Sequence, residues 1–171
     1  MKIDTREFIQ LRLMRKKYGS TKFFDLKKKQ GKRYMQLVGL LCDQVYWEKA
    51  NDFLKIVDSF CNNEMTIEDF QTEFCALRIL AIRNYDRLVE LLEQDVLSNE
   101  LTLTKLEINP KSRGFGTAID EPILHLIDMY DPHVTLEENL TNKVTVCLCS
   151  ARIQQIMNDT IRPKLEKYRD K

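Results

Sequence analysis

No apolar stretch in this chain approaches the roughly 20 residues that a helix needs to cross a bilayer. We therefore expect no membrane insertion. Residues 1–7 include two acidic side chains and lack the apolar run of a secretory signal. Glycine and proline are scarce, five and four among 171 residues, which argues against a turn-rich all-β fold. With 43% hydrophobic and 31% charged residues, the composition is that of a soluble globular domain.

The nitrogen and sulfur ligands that zinc prefers are also few, with five cysteines and two histidines. An odd number of cysteines without a secretory signal predicts free thiols in a reducing intracellular compartment such as the cytoplasm. Cys147 and Cys149 would face different ways on a helix, so they could not close a tetrahedral site. His125 and His133 are separated by eight positions that include a proline. We expect no metal site.

The sequence also lacks the motifs of catalysis and cofactor binding. Gly114-Phe115-Gly116 follows two basic residues, but it does not have the order of a phosphate-binding loop, and we interpret it as a flexible loop. The spacing of residues along the sequence identifies no Ser-His-Asp set and no Cys-His pair that could form a nucleophilic active site. We therefore predict a protein that is not an enzyme and has neither a cofactor nor a small-molecule substrate.

Charge is distributed very unevenly along the chain. Residues 1–34, which we call the basic arm, contain twelve lysines and arginines against three acidic residues. The other 137 residues contain fifteen basic and twenty-three acidic side chains, so a net charge of +1 conceals a split of +9 and −8. Because local potential steers association, this asymmetry indicates binding to a partner of opposite charge.

Hydrophobic periodicity predicts a mainly α fold, a four- or five-helix bundle with a basic N-terminal arm. We place the arm at residues 1–34 and the bundle domain at 35–171, with few core positions in the arm. Helices are expected near 35–61, 66–97, 120–131 and 135–161. Thr66 and Thr135 each precede an acidic residue by three positions, the spacing of a capping box. One apolar face of the second helix includes Phe70, Phe74, Leu91 and Leu92. Residues 98–118 are interpreted as an irregular connection that includes a short strand pair or a helical turn.

The basic arm has three open interpretations: a solvated tail, a segment that docks on an acidic protein (this chain's own acidic body included), and an RNA-binding element. In the last, basic side chains contact phosphates and aromatic rings stack on bases. The predicted nucleic-acid-binding residues are Arg12, Arg15, Lys16, Lys17, Phe23, Phe24, Lys27, Lys28, Lys29, Lys32 and Arg33.

A resemblance to a known family concerns the body. Residues 53–70 (FLKIVDSFCNNEMTIEDF), with Phe74 after them, resemble the helix–turn–helix opening of colicin-D-immunity-like proteins. Residues 126–132 (LIDMYDP) and the closing amphipathic helix are similar to the rest of that domain. Similar small helical proteins also occur as uncharacterised plastid reading frames, so the resemblance adds the plastid stroma as an alternative reducing compartment. The resemblance implies an all-helical bundle that blocks a ribonuclease toxin with an acidic surface. The basic arm and residues 98–118 depart from this pattern.

The leading hypothesis is a non-enzymatic interaction protein that binds a protein partner through its acidic body. The alternative is an RNA-binding or ribonucleoprotein component that uses the basic arm.

Overall fold

The computed structural model describes residues 1–98, 105–141 and 146–169, and it confirms a mainly α fold. The strands are β1 (Lys2–Asp4) and β2 (Lys105–Glu107). The α-helices are α1 (Thr5–Tyr18), α2 (Ser20–Leu26), α3 (Lys28–Trp47), α4 (Ala50–Cys61), α5 (Ile67–Leu97), α6 (Phe115–Asp128), α7 (Leu136–Thr141), α8 (Ser150–Ile156) and α9 (Arg162–Leu165). Short 3₁₀ turns span Pro110–Ser112 and Glu166–Tyr168, and a π-helical turn spans Met157–Ile161.

One hydrophobic core joins α4, the first half of α5, α6 and the C-terminal helices. Phe60 of α4 stacks on Phe70 of α5 with ring centroids 4.6 Å apart, and Phe74 packs edge-on against Phe53. All four rings are buried. The predicted inward face of α5 is therefore correct at Phe70 and Phe74, whereas Leu91, which was assigned to it, is exposed.

A second core contains much of the basic arm. Its buried residues come from β1, α1, α2, α3, the second half of α5 and the residue after β2: Ile3, Phe8, Ile9, Leu11, Phe23, Tyr34, Leu37, Leu41, Val89, Leu92 and Ile108. The strands pair antiparallel, with Ile3 opposite Leu106. The expectation of few core positions in residues 1–34 is wrong, since six of these side chains belong to that segment. The predicted boundary between residues 34 and 35 lies inside α3.

The predicted helix 35–61 is two helices. Val45, Tyr46 and Trp47 are consecutive and all buried. Each residue of a helix rotates by about 100°, so these three side chains spread over about 200° and the end of α3 is covered on more than one side. The helix ends at Trp47, and after Glu48 and Lys49 the chain begins α4 at Ala50, in the same core.

The C-terminal third also differs from its prediction. The capping box at Thr135 is confirmed, because its backbone N–H donates to Glu138 and its Oγ1 accepts from the Glu138 N–H. However, α7 ends at Thr141, and Leu148 pairs with Tyr130 in an isolated bridge, so residues 135–161 are not one helix. Residues 142–145 of the predicted helix lie outside the described part of the chain. Pro163 lacks an N–H donor, and the π-helical turn just before it accommodates that change in the hydrogen-bond ladder.

The connection after α5 was predicted to contain a strand pair or a helical turn. Residues 99–104 lie outside the described part of the chain. Beyond them β2 pairs with the distant β1 rather than with a neighbour, and the 3₁₀ turn follows.

Two glycines of α3 provide a matched test of helix packing. A Cβ on Gly31 would lie 2.6 Å from Cδ1 of Phe24, whereas a Cβ on Gly39 would meet no atom within 4 Å. Alanine favours a helix by about 1 kcal/mol over glycine. We expect Gly39→Ala to raise the free energy of unfolding by about 0.5–1 kcal/mol. Gly31→Ala should lower it by about 1–3 kcal/mol, because α2 must move away. Urea denaturation measures both, and equal effects would contradict this packing.

Candidate functional site

The aromatic residues predicted to stack on RNA bases lie in or against the core. Phe23 has no exposed surface and packs edge-on to Tyr34 and Phe24. Phe24 is half-buried, and its ring covers Gly31. A base needs an accessible ring face, so the assignment of Phe23 to base stacking is wrong.

Three of the predicted phosphate contacts already have acidic partners within the chain. Glu93 of α5 accepts from Arg12 Nε at 2.7 Å and from Lys16 Nζ at 2.8 Å. The Lys16 hydrogen bond, together with Arg12, holds the pKa of Glu93 below its usual value despite burial. Arg33 forms a two-point pair with Glu7, at 2.9 and 2.7 Å, and this hydrogen bonding lowers the pKa of Glu7. The Arg33–Glu7 pair lies within the basic arm, whereas the contacts of Arg12 and Lys16 with Glu93 join the arm to the acidic body. These two contacts agree with the interpretation in which the arm docks on its own acidic body.

The remaining basic candidates lie in three different environments. Lys17, Lys28, Lys29 and Lys32 are exposed, and within the described residues none of them forms a salt bridge. Lys27 is half-buried. Lys28 and Lys32 are one turn apart on α3, so they share a face of that helix. Arg15 points into a cavity in the N-terminal part of the fold.

The acidic body has a groove where α4 meets α5. Its volume is about 440 Å³, and Ile56, Met65 and Leu77 supply apolar surface along it. Its carboxylates are Asp52, Glu64 and Glu73, with Lys55 as a basic neighbour. The packing of Phe53 and Phe60 against α5 fixes the separation of the two helices beneath the groove.

The turn between α4 and α5 holds one of these carboxylates in place. Asn63, just past the end of α4, adopts a left-handed conformation with φ of 61°, which asparagine tolerates. The Glu64 N–H then donates to the Ser59 carbonyl at 2.8 Å. The Glu64 carboxylate accepts from Ser59 Oγ at 3.1 Å and from Asn62 Nδ2 at 3.4 Å.

The other two carboxylates differ in their contacts. Asp52 lies 3.6 Å from Lys49 in an exposed pair. No salt bridge in the described segments involves Glu73, which is exposed. Ala76, Leu77 and Leu80 follow Glu73 at helical spacing, and Leu80 is 39% exposed. The apolar strip of α5 therefore continues beyond the groove.

A cleft between α3, α5 and α6 has a structural role. Asp43 of α3 accepts from the N–H of Gly114 at 2.6 Å and of Gly116 at 3.0 Å, so it caps α6 from outside that helix. Burial raises the pKa of Asp43, and these backbone donors oppose that increase. The interpretation of residues 114–116 as a flexible loop is wrong, because their N–H groups bind this carboxylate. The cap also explains why α6 begins at Phe115 rather than at the predicted Asp120.

The same cleft gives no evidence of an activated nucleophile. Its volume is about 310 Å³, and Arg78 donates to Asp120 across it at 2.7 Å. Burial raises the pKa of Cys42 to about 11 and that of Tyr46 above its usual range. Both groups are therefore protonated near neutral pH.

The cysteine and histidine side chains differ in exposure. All five cysteines are free, with Cys61 and Cys149 buried and Cys147 exposed. His125 and His133 are both exposed. Residues 1–98, 105–141 and 146–169 contain no group of three or more histidine, cysteine or acidic side chains placed to hold a metal.

In the parts of the chain that the structure describes, no helix is both long enough and apolar enough to cross a membrane. Comparison of the chain with protein-family models, curated proteins and solved structures gave no match.

The sequence indicated the acidic body but not the groove. Asp52, Glu64 and Glu73 are spread over 22 positions and three local structures, and only the packing of α4 on α5 brings them together. The position of Arg12, Arg15 and Lys16 on one side of α1 was readable from their spacing, whereas their partner Glu93 had no local signal.

Proposed function

We propose that this protein is a non-enzymatic binding module that captures a basic segment of a partner protein in the groove between α4 and α5. The observation that carries the proposal is the combination of three carboxylates and an apolar surface in one groove. An amphipathic helix with lysines or arginines beside its apolar face has the complementary chemistry. The resemblance to colicin-D-immunity-like proteins supports the same class of partner.

The two kinds of surface would contribute differently to binding. Carboxylates at the edge of the groove raise the association rate of a basic partner and disfavour acidic ones. The apolar surface of Ile56, Met65, Leu77 and Leu80 supplies the area that slows dissociation. The affinity for the partner should therefore fall as the salt concentration rises, but the apolar contacts should preserve part of that affinity at high salt.

Reversing the charge of Glu73 tests the groove. We expect Glu73→Lys to weaken capture of the partner by about tenfold or more, equivalent to roughly 1.4 kcal/mol. The matched control is Glu90→Lys, which makes the same change at another exposed position of α5 outside the groove. Quantitative affinity capture from native extract, followed by titration of the purified partner, measures both variants.

The capture is performed with and without nuclease. A partner that survives nuclease, is lost with Glu73→Lys and is kept by Glu90→Lys supports the proposal. Equal retention by the two variants would refute it.

RNA binding is the second candidate function. The exposed Lys28, Lys29 and Lys32 favour it, because the first turn of α3 contains no acidic side chain that would neutralise their charge. In the same experiment RNA would be lost on nuclease treatment and retained by both glutamate variants.

A further inference from the structure

A cavity of about 340 Å³ lies between α1, the start of α2 and α3. Arg12, Arg15 and Lys16 line it from α1, Gly19 and Ser20 from the turn into α2, and Tyr34 from α3. Its basic residues are spaced three and four positions apart, so α1 presents all three to one side.

The cavity carries an excess of positive charge. Glu93 is the carboxylate paired with Arg12 and Lys16. With Arg15 included, the three basic side chains and this one carboxylate have a formal charge of +2. Arg15 makes neutral contacts instead. Its Nε donates to Ser20 Oγ at 3.1 Å, a terminal nitrogen donates to the Tyr34 hydroxyl at 3.3 Å, and its guanidinium lies 5.5 Å from the centre of the Tyr34 ring.

Tyr34 adds a directed hydrogen-bond donor. Its side chain is almost fully buried, at 1% exposed, yet its hydroxyl reaches the cavity. That oxygen accepts from Arg15 and also interacts with Arg12. Among the hydrogen bonds of the described residues, none has the Tyr34 hydroxyl as donor. Since a phenol has one proton to donate, that proton is left for an acceptor in the cavity.

We propose that this cavity binds a phosphoryl group. A phosphate monoester offers several acceptor oxygens and close to two negative charges, which match the guanidinium of Arg15, the Lys16 ammonium and the Tyr34 hydroxyl. Glu93 holds Arg12 and Lys16 from the side of α5, and the phosphoryl group binds from the open side. Its source is either a small phosphate ester or the terminal phosphate of a nucleic acid.

Titration with inorganic phosphate at constant ionic strength, followed by calorimetry, tests the site in the full-length chain. We expect saturable binding that Tyr34→Phe weakens by about tenfold, because one hydrogen bond to a charged group is lost. Glu93→Gln should tighten binding, since it removes the competing negative charge. Lys164→Gln, a loss of charge at an exposed position outside the cavity, should change the affinity less than twofold.

Arg15→Gln provides a second test of the cavity if Tyr34→Phe does not fold, and it should weaken binding at least as much. Absence of saturable binding would overturn the proposal, as would equal losses in Lys164→Gln and the cavity variants.

Two further ligands distinguish the sources. Tighter binding of a 5′-phosphorylated oligoribonucleotide than of its 5′-hydroxyl form supports the site with nucleic acid as the source. Binding of phenyl phosphate, with no difference between the oligonucleotides, supports the site with a small ester as the source. Failure of phenyl phosphate together with equal binding of both oligonucleotides would overturn the proposal. These readouts are independent of Glu73, so this site and the groove fail or succeed separately.

Discussion

Removal of residues 1–33 is expected to abolish the cooperative thermal unfolding of the rest of the chain. The deletion takes Phe8, Ile9, Leu11 and Phe23 out of the second core and exposes the inner faces of α3 and α5 that they cover. Full burial of such a side chain contributes about 1.5–3 kcal/mol. Together these four contributions are comparable with the entire stability of a typical domain, about 5–15 kcal/mol.

Calorimetry and circular dichroism of residues 34–171 measure this effect. A single-residue version uses Phe8→Ala, which should lower the free energy of unfolding by about 3–5 kcal/mol. Leu13→Ala is the control on the same helix, because Leu13 is 40% exposed and should change stability little. A truncated chain that melts at the temperature of the full protein would show that the basic arm is a solvated tail.

Replacing Phe74 by alanine is expected to cost about 3–5 kcal/mol of unfolding free energy. Phe74 has no exposed surface, and its ring centroid lies 5.8 Å from that of Phe53 and 6.0 Å from that of Phe70. The close packing of α4 and α5 on either side of it limits how far a cavity can collapse.

Ile79→Ala is the matched control on α5, since Ile79 is 48% exposed. Urea denaturation of the two variants should separate them by more than 2 kcal/mol. A loss below about 1 kcal/mol in Phe74→Ala would place the inward face of α5 elsewhere. The groove rests on this pair of helices, so the same variant should also weaken partner capture.

The fold reduces the number of basic side chains in the arm that are available to an external partner. A free basic arm would offer all its cations to a partner, but Arg12, Lys16 and Arg33 are engaged by Glu93 and Glu7. What remains for an external ligand is more local: an acidic groove between α4 and α5, a row of exposed lysines at the start of α3, and a basic cavity around Tyr34.

The sequence by itself determined those features whose physical cause is local. The apolar spacing of α5 identifies Phe70 and Phe74 as inward-facing, and Thr66 caps that helix through a contact only three residues long. The capping box at Thr135 is equally local. The acidic character of the body was also readable, because charge can be counted without knowing any contact.

Only the tertiary structure decided the features whose causes are distant in sequence. The basic arm is ordered by packing on α5, with Arg12 and Glu93 81 positions apart, and α6 begins early because Asp43 caps it from 71 positions away. The break after Trp47 arises because both of its flanking helices bury side chains in one core. The local sequence around a residue does not identify such partners, because a side chain 70 residues away becomes a neighbour only when the helices pack.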